Sequence, residues 1–160
     1  DAQVTAVEKS PQALSYLRQN VARHGSRVTV AEGDVLVKPA QDAVYDLILS
    51  NPPYIPAGEI GRLMKEVSFE PRMALDGGED GLLFYRAIVT HYPSLLCPGG
   101  MLAVEIGAEQ GEQVRRLFEE AGFSQVAVGR DLAGLDRLVS GIWPGGKRTA
   151  QVCNFDRNTV

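Results

Sequence analysis

The fold is decided by the segment Asp46-Leu47-Ile48-Leu49-Ser50-Asn51-Pro52-Pro53-Tyr54. The short apolar run from Leu47 to Leu49 is typical of a strand, and the polar residues after it project from the carboxyl end of that strand. In open α/β sheets, ligands bind at the carboxyl ends of the strands. The segment therefore predicts an α/β protein with a functional site that begins at Asn51.

Two consecutive prolines make the loop after this strand stiff. Each proline fixes its own φ near about −65° and keeps the residue before it out of the helical region. The Asn51 side chain and the neighbouring carbonyls are therefore expected to be held extended as hydrogen-bond acceptors. Two such acceptors match a planar NH2 group, and the Tyr54 ring can pack on the attached π-system. A β-turn with a capping Asn51 is the alternative interpretation.

Length, charge and cysteine content restrict the class of protein. The 160 residues are enough for one domain with a hydrophobic core. The formal net charge of −4 argues against a broad basic surface for nucleic acid. Cys97 and Cys153 lie far apart without metal-like spacing, so neither a disulfide framework nor a metal site is expected. No apolar run approaches the roughly 20 residues of a membrane span, and a cytoplasmic protein is predicted.

The chain before the central segment predicts one strand–helix–strand unit. Residues from Val4 to Glu8 form the first predicted strand. The pair Ser10-Pro11 then starts a helix as N-cap and first helical residue, and Gly25 ends it. A second strand is predicted from Arg27 to Val30, with Glu32 in the segment after it.

Two carboxylates are predicted at the carboxyl edge of this unit. Because one strand–helix–strand unit separates Glu8 from Asp34, both side chains lie at the same edge of a parallel sheet. This arrangement suits a nucleoside, with Glu8 on the ribose hydroxyls, Asp34 on the adenine amino group and Val35 or Leu36 on the ring. Asn51 ends a third strand and is expected at that edge too. Either acid alone is also compatible with a cap or a solvated loop residue.

The second half of the chain predicts an irregular segment followed by regular elements. Residues 55–81 include the glycine-rich Asp76-Gly77-Gly78-Glu79-Asp80-Gly81, and we interpret them as a lid over a substrate pocket, with a surface insertion as the alternative. Helices are predicted at 82–92 and 110–121, a turn at 98–100, and strands at 101–107, 124–128 and 137–142. The pattern indicates a Rossmann-like, doubly wound α/β sheet, mostly parallel with a C-terminal antiparallel hairpin. Residues 144–160 are expected to form an irregular or disordered tail.

Several short motifs accompany the central segment. They are Asn51-Pro52-Pro53-Tyr54-Ile55, Phe69-Glu70-Pro71-Arg72, Ala74-Leu75, Gly77-Gly78 with Asp80-Gly81-Leu82, Glu105-Ile106-Gly107 with Gln110, and Asp131-Leu132-Ala133-Gly134 with Asp136-Arg137. From Val4 to about Val139 the chain thereby resembles the HemK-type glutamine N5-methyltransferases of peptide-chain release factors, within the class I Rossmann-like enzymes that use S-adenosylmethionine. Asn-Pro-Pro-Tyr alone is shared with DNA, RNA and ribosomal-protein methyltransferases. The Glu-Pro-Arg and Asp-Gly-Leu motifs favour release factors.

The resemblance implies a reaction and the residues that perform it. S-adenosylmethionine is the implied methyl donor, S-adenosylhomocysteine the product, and the Gly-Gly-Gln loop of a release factor the methylated partner. The resemblance implies catalytic roles for Asn51, Pro52 and Tyr54. It implies cofactor-binding roles for Glu8, Asp34, Val35 and Asn51. The residues implied to bind the substrate are Asn51, Pro52, Pro53, Tyr54 and Glu70. A monomer without metal, nucleic-acid or membrane contacts is expected.

Part of the family pattern is missing from this sequence. The family's first strand, with its Asp-x-Gly-x-Gly-x-Gly loop against the cofactor, and its N-terminal helical domain would lie before Asp1. We therefore expect residues 1–143 to form an incomplete methyltransferase domain of a longer enzyme, with two neighbouring strand edges unpaired. The 160-residue chain alone is predicted to be inactive and to bind S-adenosylmethionine weakly or not at all. Micromolar binding in calorimetry would contradict this prediction.

Three other functions stay open at this point. An N6-adenine methyltransferase acting on DNA or RNA could use the same two acceptors, although the acidic composition counts against it. Methylation of a glutamine in a ribosomal protein would use the same chemistry on another substrate. A non-catalytic fragment is the third alternative; the missing glycine-rich loop supports it, and the intact Asn51 to Tyr54 motif argues against it.

Overall fold

The computed structural model describes residues 2–39, 43–62 and 70–145. The chain divides into two compact units, Asp1–Pro39 and Ala40–Val160. The first unit contains β1 (Val4–Glu8), α1 (Pro11–His24) and β2 (Val28–Glu32). β1 and β2 are parallel. This confirms the predicted strand–helix–strand unit.

The bounds of β2 differ slightly from the prediction. Glu32 was expected after the strand, but it is the last residue of β2 and pairs with Glu8 in the parallel ladder. The ladder continues to this residue because Gly33 N–H then donates to the Glu8 carbonyl at 3.1 Å. Asp34 therefore follows the strand end by two residues.

The two ends of α1 have the caps that the sequence predicts. Ser10 Oγ accepts a hydrogen bond from Ala13 N–H at 3.3 Å, and Pro11 is the first helical residue. Gly25 has a left-handed φ of 58°, and its N–H donates to the Ala22 carbonyl at 3.3 Å. The one fully buried side chain recorded for this helix, Leu14, belongs to its apolar face. Local capping and one apolar face thus account for the helix.

The Ser10 cap gives a testable stability difference within the first unit. Ser10→Ala removes the side-chain acceptor for Ala13 N–H, and such losses cost about 1 kcal/mol. We expect α1 amides to lose protection in hydrogen exchange by about that free energy. Ser15→Ala, a matched control on the exposed side of the same helix, should leave their protection unchanged or slightly higher, since alanine is the better helix former. Equal effects of the two substitutions would contradict the assigned cap.

The second unit contains four strands and three α-helices within its described residues. They are β3 (Tyr45–Ser50), α2 (Arg72–Leu75), α3 (Leu83–His91), β4 (Leu96–Glu105), α4 (Gly111–Glu120), β5 (Ser124–Arg130) and β6 (Asp136–Ile142). The sheet order is β3-β4-β6-β5. β3 and β4 are parallel, and β6 is antiparallel to both β4 and β5. The predicted parallel strands and C-terminal hairpin are thereby confirmed.

Strand β1 lies at an edge of the two-stranded sheet, and β3 lies at an edge of the four-stranded sheet. Among the described residues, β1 pairs only with β2, and β3 pairs only with β4. Apolar side chains on both strands are exposed, including Val7 at 52% and Leu49 at 69%. The expectation that a missing strand leaves two neighbouring edges unpaired stays a prediction.

The four-stranded sheet has one covered face. Leu102, Val104 and Val139 are fully buried, as are side chains of α3 and α4 such as Tyr85 and Phe118. Alternate residues point to the opposite face, where Leu47, Leu49, Met101 and Leu138 are exposed. Among the residues that the structure describes, the helices of the second unit thus cover one side of its sheet.

The turn predicted at 98–100 is wrong. Pro98, Gly99 and Gly100 lie inside β4, where the pairing with β3 shifts between Tyr45 and Leu47. The strand continues because Gly99 N–H donates to the Trp143 carbonyl at 2.7 Å and Trp143 N–H donates to the Gly100 carbonyl at 2.8 Å. Gly99 supplies the positive φ, 84°, that this irregularity requires.

Two other expectations are only partly covered by the described residues. The segment 55–81 is not wholly irregular, since it contains a 3₁₀ turn at Ile60–Arg62, the short α2 and a bridge between Ile55 and Asp76. Residues 63–69 lie outside the description, and the lid interpretation stays a prediction. Most of the predicted tail, residues 146–160, also lies outside it.

Candidate active site

The Asn51 to Tyr54 loop follows directly after β3, as the sequence predicts. Asn51 is exposed, Pro52 is buried, and Pro53 and Tyr54 are half-buried. Within the described parts of the chain, no hydrogen bond or ion pair engages the Asn51 side chain. Its amide oxygen is therefore available to a ligand and is not used inside the core.

Asn51 lines an open cavity of about 300 Å³ at the end of the sheet. The other lining residues are Leu49, Ser50, Ala103, Glu105 and Leu138. Leu49 lies opposite Ala103, and Glu105 opposite Leu138, in the strand ladders. The cavity is thus lined by apolar side chains of three strands and by polar side chains where β3 and β4 end. Such a mixture suits a side chain that has an aliphatic stem and a polar head.

Leu75 and the glycine-rich segment 76–81 form backbone hydrogen bonds with Ile55 and Ala57, which follow the Asn51 to Tyr54 loop. Ile55 N–H donates to the Leu75 carbonyl at 3.0 Å, and Gly77 N–H donates to the Ile55 carbonyl at 2.8 Å. Ala57 N–H donates to the Gly78 carbonyl at 2.8 Å. The segment therefore holds the residues that immediately follow Tyr54.

Two aspartate side chains accept backbone hydrogen bonds in and next to the glycine-rich segment. Asp76 Oδ1 accepts from Gly78 N–H at 3.0 Å, and Asp80 Oδ1 accepts from Leu82 N–H at 3.1 Å. The Arg86 guanidinium beside Asp80 holds the pKa of that carboxyl down to about 2. Asp80 is therefore ionised at neutral pH and keeps both contacts.

Close approach of this segment requires glycine at two positions. A Cβ at Gly81, where φ is 75°, would lie 2.5 Å from the Tyr54 carbonyl oxygen. A Cβ at Gly77 would lie 2.9 Å from both the Cα and the carbonyl carbon of Tyr54. Glycine is thus needed here to bring two backbone segments into contact. The Gly-Gly and Asp-Gly-Leu motifs thereby acquire a structural role next to Tyr54.

The first unit brings Glu8 and Asp34 to the carboxyl ends of β1 and β2. Glu8 Oε1 accepts from Ser10 N–H at 2.7 Å. Asp34 Oδ1 accepts from Leu36 N–H at 3.0 Å, and Asp34 Oδ2 forms an ion pair with Lys9 Nζ at 2.7 Å. The Lys9 hydrogen bond, with help from Leu36 N–H, holds the pKa of Asp34 below its ordinary value of 3.8. Both groups also have cap or turn roles, as the alternative interpretation predicted.

The Lys9–Asp34 contact predicts a measurable change in acidity. Lys9→Met removes the main group that lowers the Asp34 pKa, so that pKa should rise towards 3.8 in a carboxyl ¹³C titration. Because a lowered folded-state pKa stabilises the fold above the unfolded value, the contribution of Asp34 is present at neutral pH and is lost as the pH falls through its folded pKa. Lys38→Met, at an exposed position, is the control and should leave Asp34 unchanged. An unchanged titration in Lys9→Met would disprove the assignment.

Val35 and Glu70 are the remaining residues predicted to contact the cofactor or the substrate. Val35 is half-buried and lies in the turn after Asp34. Glu70 is exposed and follows residues 63–69, which the structure does not describe. Glu8, Asp34 and Val35 belong to the first unit, whereas Asn51 and Glu70 belong to the second. The expectation that Asn51 shares an edge with the two acids stays a prediction.

Neither a metal site nor a membrane helix is found in the described residues. Residues 2–39, 43–62 and 70–145 contain no group of three His, Cys, Asp or Glu side chains arranged to hold a metal ion. Over the same ranges, no helix has the length and apolarity needed to cross a bilayer.

Sequence reasoning did not assign a role to Gln110. Its side chain contacts the Tyr54 carbonyl and the Gly81 carbonyl, 56 and 29 residues away in the sequence. Gln110 also occupies the N-cap of α4, where its side chain caps nothing. The available sequence signal was the place of Gln110 in the motif Glu105-Ile106-Gly107 with Gln110.

Solved structures with the same architecture define the fold. A methyltransferase from Pyrococcus furiosus superposes with a TM-score of 0.64 at 20% identity, covering 89% of this chain and 63% of that one. The N-methyltransferase NodS from Bradyrhizobium japonicum, in complex with S-adenosyl-L-homocysteine, gives 0.56 at 18% identity, covering 89% of this chain and 67% of that one. The fold is therefore that of the class I methyltransferases.

The sequence relatives are named as one kind of methyltransferase. The family model for the methyltransferase small domain matches residues 1–79. The release factor glutamine methyltransferase of Geobacter sulfurreducens is 50% identical over 141 residues, which are 88% of this chain and 49% of that protein. The enzyme of the same name from Clostridium acetobutylicum is 39% identical over 151 residues, 91% of this chain and 52% of that protein. The chain is similar to these methyltransferases over most of its own length, and the predicted resemblance is confirmed.

The chain matches only part of each of these relatives. The chain spans about half the length of the curated relatives that it matches, 49% and 52% for the two above.

Proposed function

We propose that the intact protein transfers a methyl group from S-adenosylmethionine to the side-chain nitrogen of a glutamine in a peptide-chain release factor. The observation that carries this proposal is the Asn51 side chain, which is exposed, has no hydrogen-bond or ionic partner among the described residues, and lines a cavity of mixed apolar and polar character. Relatives named release factor glutamine methyltransferase support the choice of substrate. We further propose a cytoplasmic monomer that does not bind nucleic acid directly.

The chemical problem is the weak nucleophilicity of an amide nitrogen. Its lone pair is delocalised into the carbonyl, so the protein has to orient the nitrogen as well as bring it close to the methyl donor. Asn51 Oδ1 and the Pro52 carbonyl accept the two amide hydrogens, and the Tyr54 ring packs against the glutamine side chain. Orientation of this kind contributes up to roughly 7–11 kcal/mol to the lowering of a barrier.

The same acceptors also stabilise the charge that develops in the reaction. Positive charge grows on the nitrogen as its new bond to carbon forms, and the fixed oxygen dipoles of Asn51 and Pro52 stabilise it. The methylated amide loses its extra proton readily to water. No histidine or carboxylate is therefore required as a strong general base.

The carboxylates of the first unit fit the cofactor by the chemistry of their oxygens. Glu8 uses one oxygen for Ser10 N–H, which leaves the other available to ribose hydroxyls. Asp34 is kept anionic by Lys9 and can accept from an adenine amino group, beside the half-buried Val35. When bound, S-adenosylmethionine supplies an electrophilic methyl group, and its sulfur keeps the electron pair of the broken bond in S-adenosylhomocysteine.

Transfer of a labelled methyl group distinguishes the candidate substrates. The intact enzyme, with whatever residues its gene encodes on either side of this chain, is incubated with release factor, ribosomal protein, duplex DNA and RNA. Methylation of a single release-factor glutamine, located by mass spectrometry, is the expected result. Release factor with that glutamine replaced by alanine is the control. Transfer to adenine or to a ribosomal protein in place of release factor would disprove the proposal.

A further inference from the structure

The carboxamide of Gln110 joins three backbone segments beside the candidate active site. Its Nε2 donates to the Tyr54 carbonyl at 3.0 Å and to the Gly81 carbonyl at 3.3 Å. Its Oε1 accepts from Gly107 N–H at 3.0 Å. Because a primary amide has two N–H donors and one carbonyl oxygen, both hydrogens and the oxygen of this side chain are used.

The surrounding groups fix the orientation of this amide. Tyr85 is fully buried; its hydroxyl donates to the Glu105 carbonyl at 3.0 Å and lies 3.4 Å from Gln110 Oε1. Burial raises the pKa of Tyr85, which keeps the phenol protonated. Rotating the Gln110 amide by 180° would direct its oxygen at two carbonyls and its NH2 group at an N–H donor. Only the observed orientation satisfies every group.

Glycine allows the segments around Gln110 to come this close. A Cβ at Gly81 would lie 2.7 Å from Gln110 Nε2. A Cβ at Gly107 would lie 3.0 Å from Gln110 Oε1 and 3.4 Å from the Tyr54 ring. The Tyr54 ring and the Gln110 amide thus pack on the same turn between β4 and α4.

We infer that Gln110 is a positioning residue for the Asn51 to Tyr54 loop. It fixes the carbonyl end of that loop to Gly107 and Gly81, while the two prolines restrict the chain before it. The Tyr54 ring and the Pro52 carbonyl thereby keep their places relative to the ends of β3 and β4. Gln110 itself acts through the Tyr54 backbone and does not reach the reacting atoms. This role rests on the proposed function and adds to it a residue outside the Asn-Pro-Pro-Tyr motif.

Two substitutions in the intact enzyme test the inference. Gln110→Glu keeps the shape but replaces two donors with an anionic oxygen that faces two carbonyls, and Gln110→Ala removes the amide without adding charge. Gln113→Glu makes the same chemical change three residues along α4 at an exposed position, and is the matched control. Melting curves select a temperature at which every variant is folded.

Kinetics and hydrogen exchange are measured on these variants and on wild type. Both Gln110 variants should lower kcat by about 100-fold, the scale expected when reacting groups shift by roughly 1 Å. Their Kd for S-adenosylmethionine should stay within about threefold of wild type. The Ile55 N–H donates to the Leu75 carbonyl, and the Gly77 N–H donates to the Ile55 carbonyl. Both amides should exchange at least about tenfold faster in the Gln110 variants, while core amides of β4 keep their protection.

The alternative outcomes are distinct. Gln110 variants that match Gln113→Glu in kcat and exchange would overturn the inference. A loss of kcat together with equal losses in cofactor affinity and in β4 protection would also overturn it, since that pattern shows a general structural role. If wild type fails to methylate release factor, the proposed function fails, and the exchange of Ile55 and Gly77 still decides whether Gln110 holds the loop.

Discussion

Asn51→Ala in the intact enzyme is expected to lower kcat by about 10²–10³-fold, the cost of removing one preorganised polar group that stabilises a transition state. The substitution removes one of the two acceptors for the glutamine amide and leaves the Pro52 carbonyl in place. The nitrogen can then rotate about its remaining hydrogen bond. Because Asn51 lines the cavity and its side chain makes no hydrogen bond within the described ranges of the chain, its loss should change the melting temperature little.

The experiment compares the effect of Asn51→Ala on kcat with its effect on the cofactor Kd. The Kd for S-adenosylmethionine, measured by calorimetry on the same preparation, should change far less than kcat. Asn20→Ala, which makes the same change on an exposed part of α1, is the matched control and should leave both quantities unchanged. A variant in which only the cofactor Kd changes would refute the orienting role of Asn51.

Gly81→Ala is expected to destabilise the protein by about 2–5 kcal/mol. Part of this free energy is the cost of roughly 1–2 kcal/mol for an L-residue in left-handed backbone, since φ is 75° at this position. The remainder is the strain of overpacking, roughly 1–3 kcal/mol, because the added Cβ would lie 2.5 Å from the Tyr54 carbonyl oxygen. The Tyr54 backbone has to move, so kcat should also fall by about tenfold or more.

Gly134→Ala separates these two causes. Gly134 has a φ of 80°, but an added Cβ would meet nothing within 4 Å. This control should therefore cost only the backbone free energy, about 1–2 kcal/mol, and leave kcat unchanged. Chemical denaturation and steady-state kinetics on both variants provide the comparison. Equal losses of stability and equal kcat for Gly81→Ala and Gly134→Ala would rule out close packing of the glycine-rich segment on Tyr54.

Local sequence signals were sufficient where local interactions decide the structure. The N-cap at Ser10, the left-handed stop at Gly25 and the strand before Asn51 depend on residues within a few positions of one another, and all three are present. The caps and the apolar run are defined by neighbouring residues and need no long-range contact to be recognised. This part of the fold was therefore predictable from the sequence.

Tertiary contacts decided the features that the sequence did not predict. Pro98-Gly99-Gly100 has the composition of a turn, but its hydrogen bonds to Trp143 keep it within β4. The contact of Gln110 with Tyr54 joins residues that are 56 positions apart. No periodicity or spacing in one sequence encodes such a contact. The motif pattern indicated the chemistry at Asn51, and the structure was needed to show what supports the loop after it.

The central claim is that Asn51 and Pro52 present two oxygen acceptors to a glutamine amide. A crystal structure of the intact enzyme with S-adenosylhomocysteine and a glutamine-containing release-factor peptide tests it most directly. The account predicts that the glutamine side-chain nitrogen lies about 2.7–3.2 Å from both Asn51 Oδ1 and the Pro52 carbonyl oxygen. A glutamine bound elsewhere, or an Asn51 side chain turned away from the cavity, would contradict it.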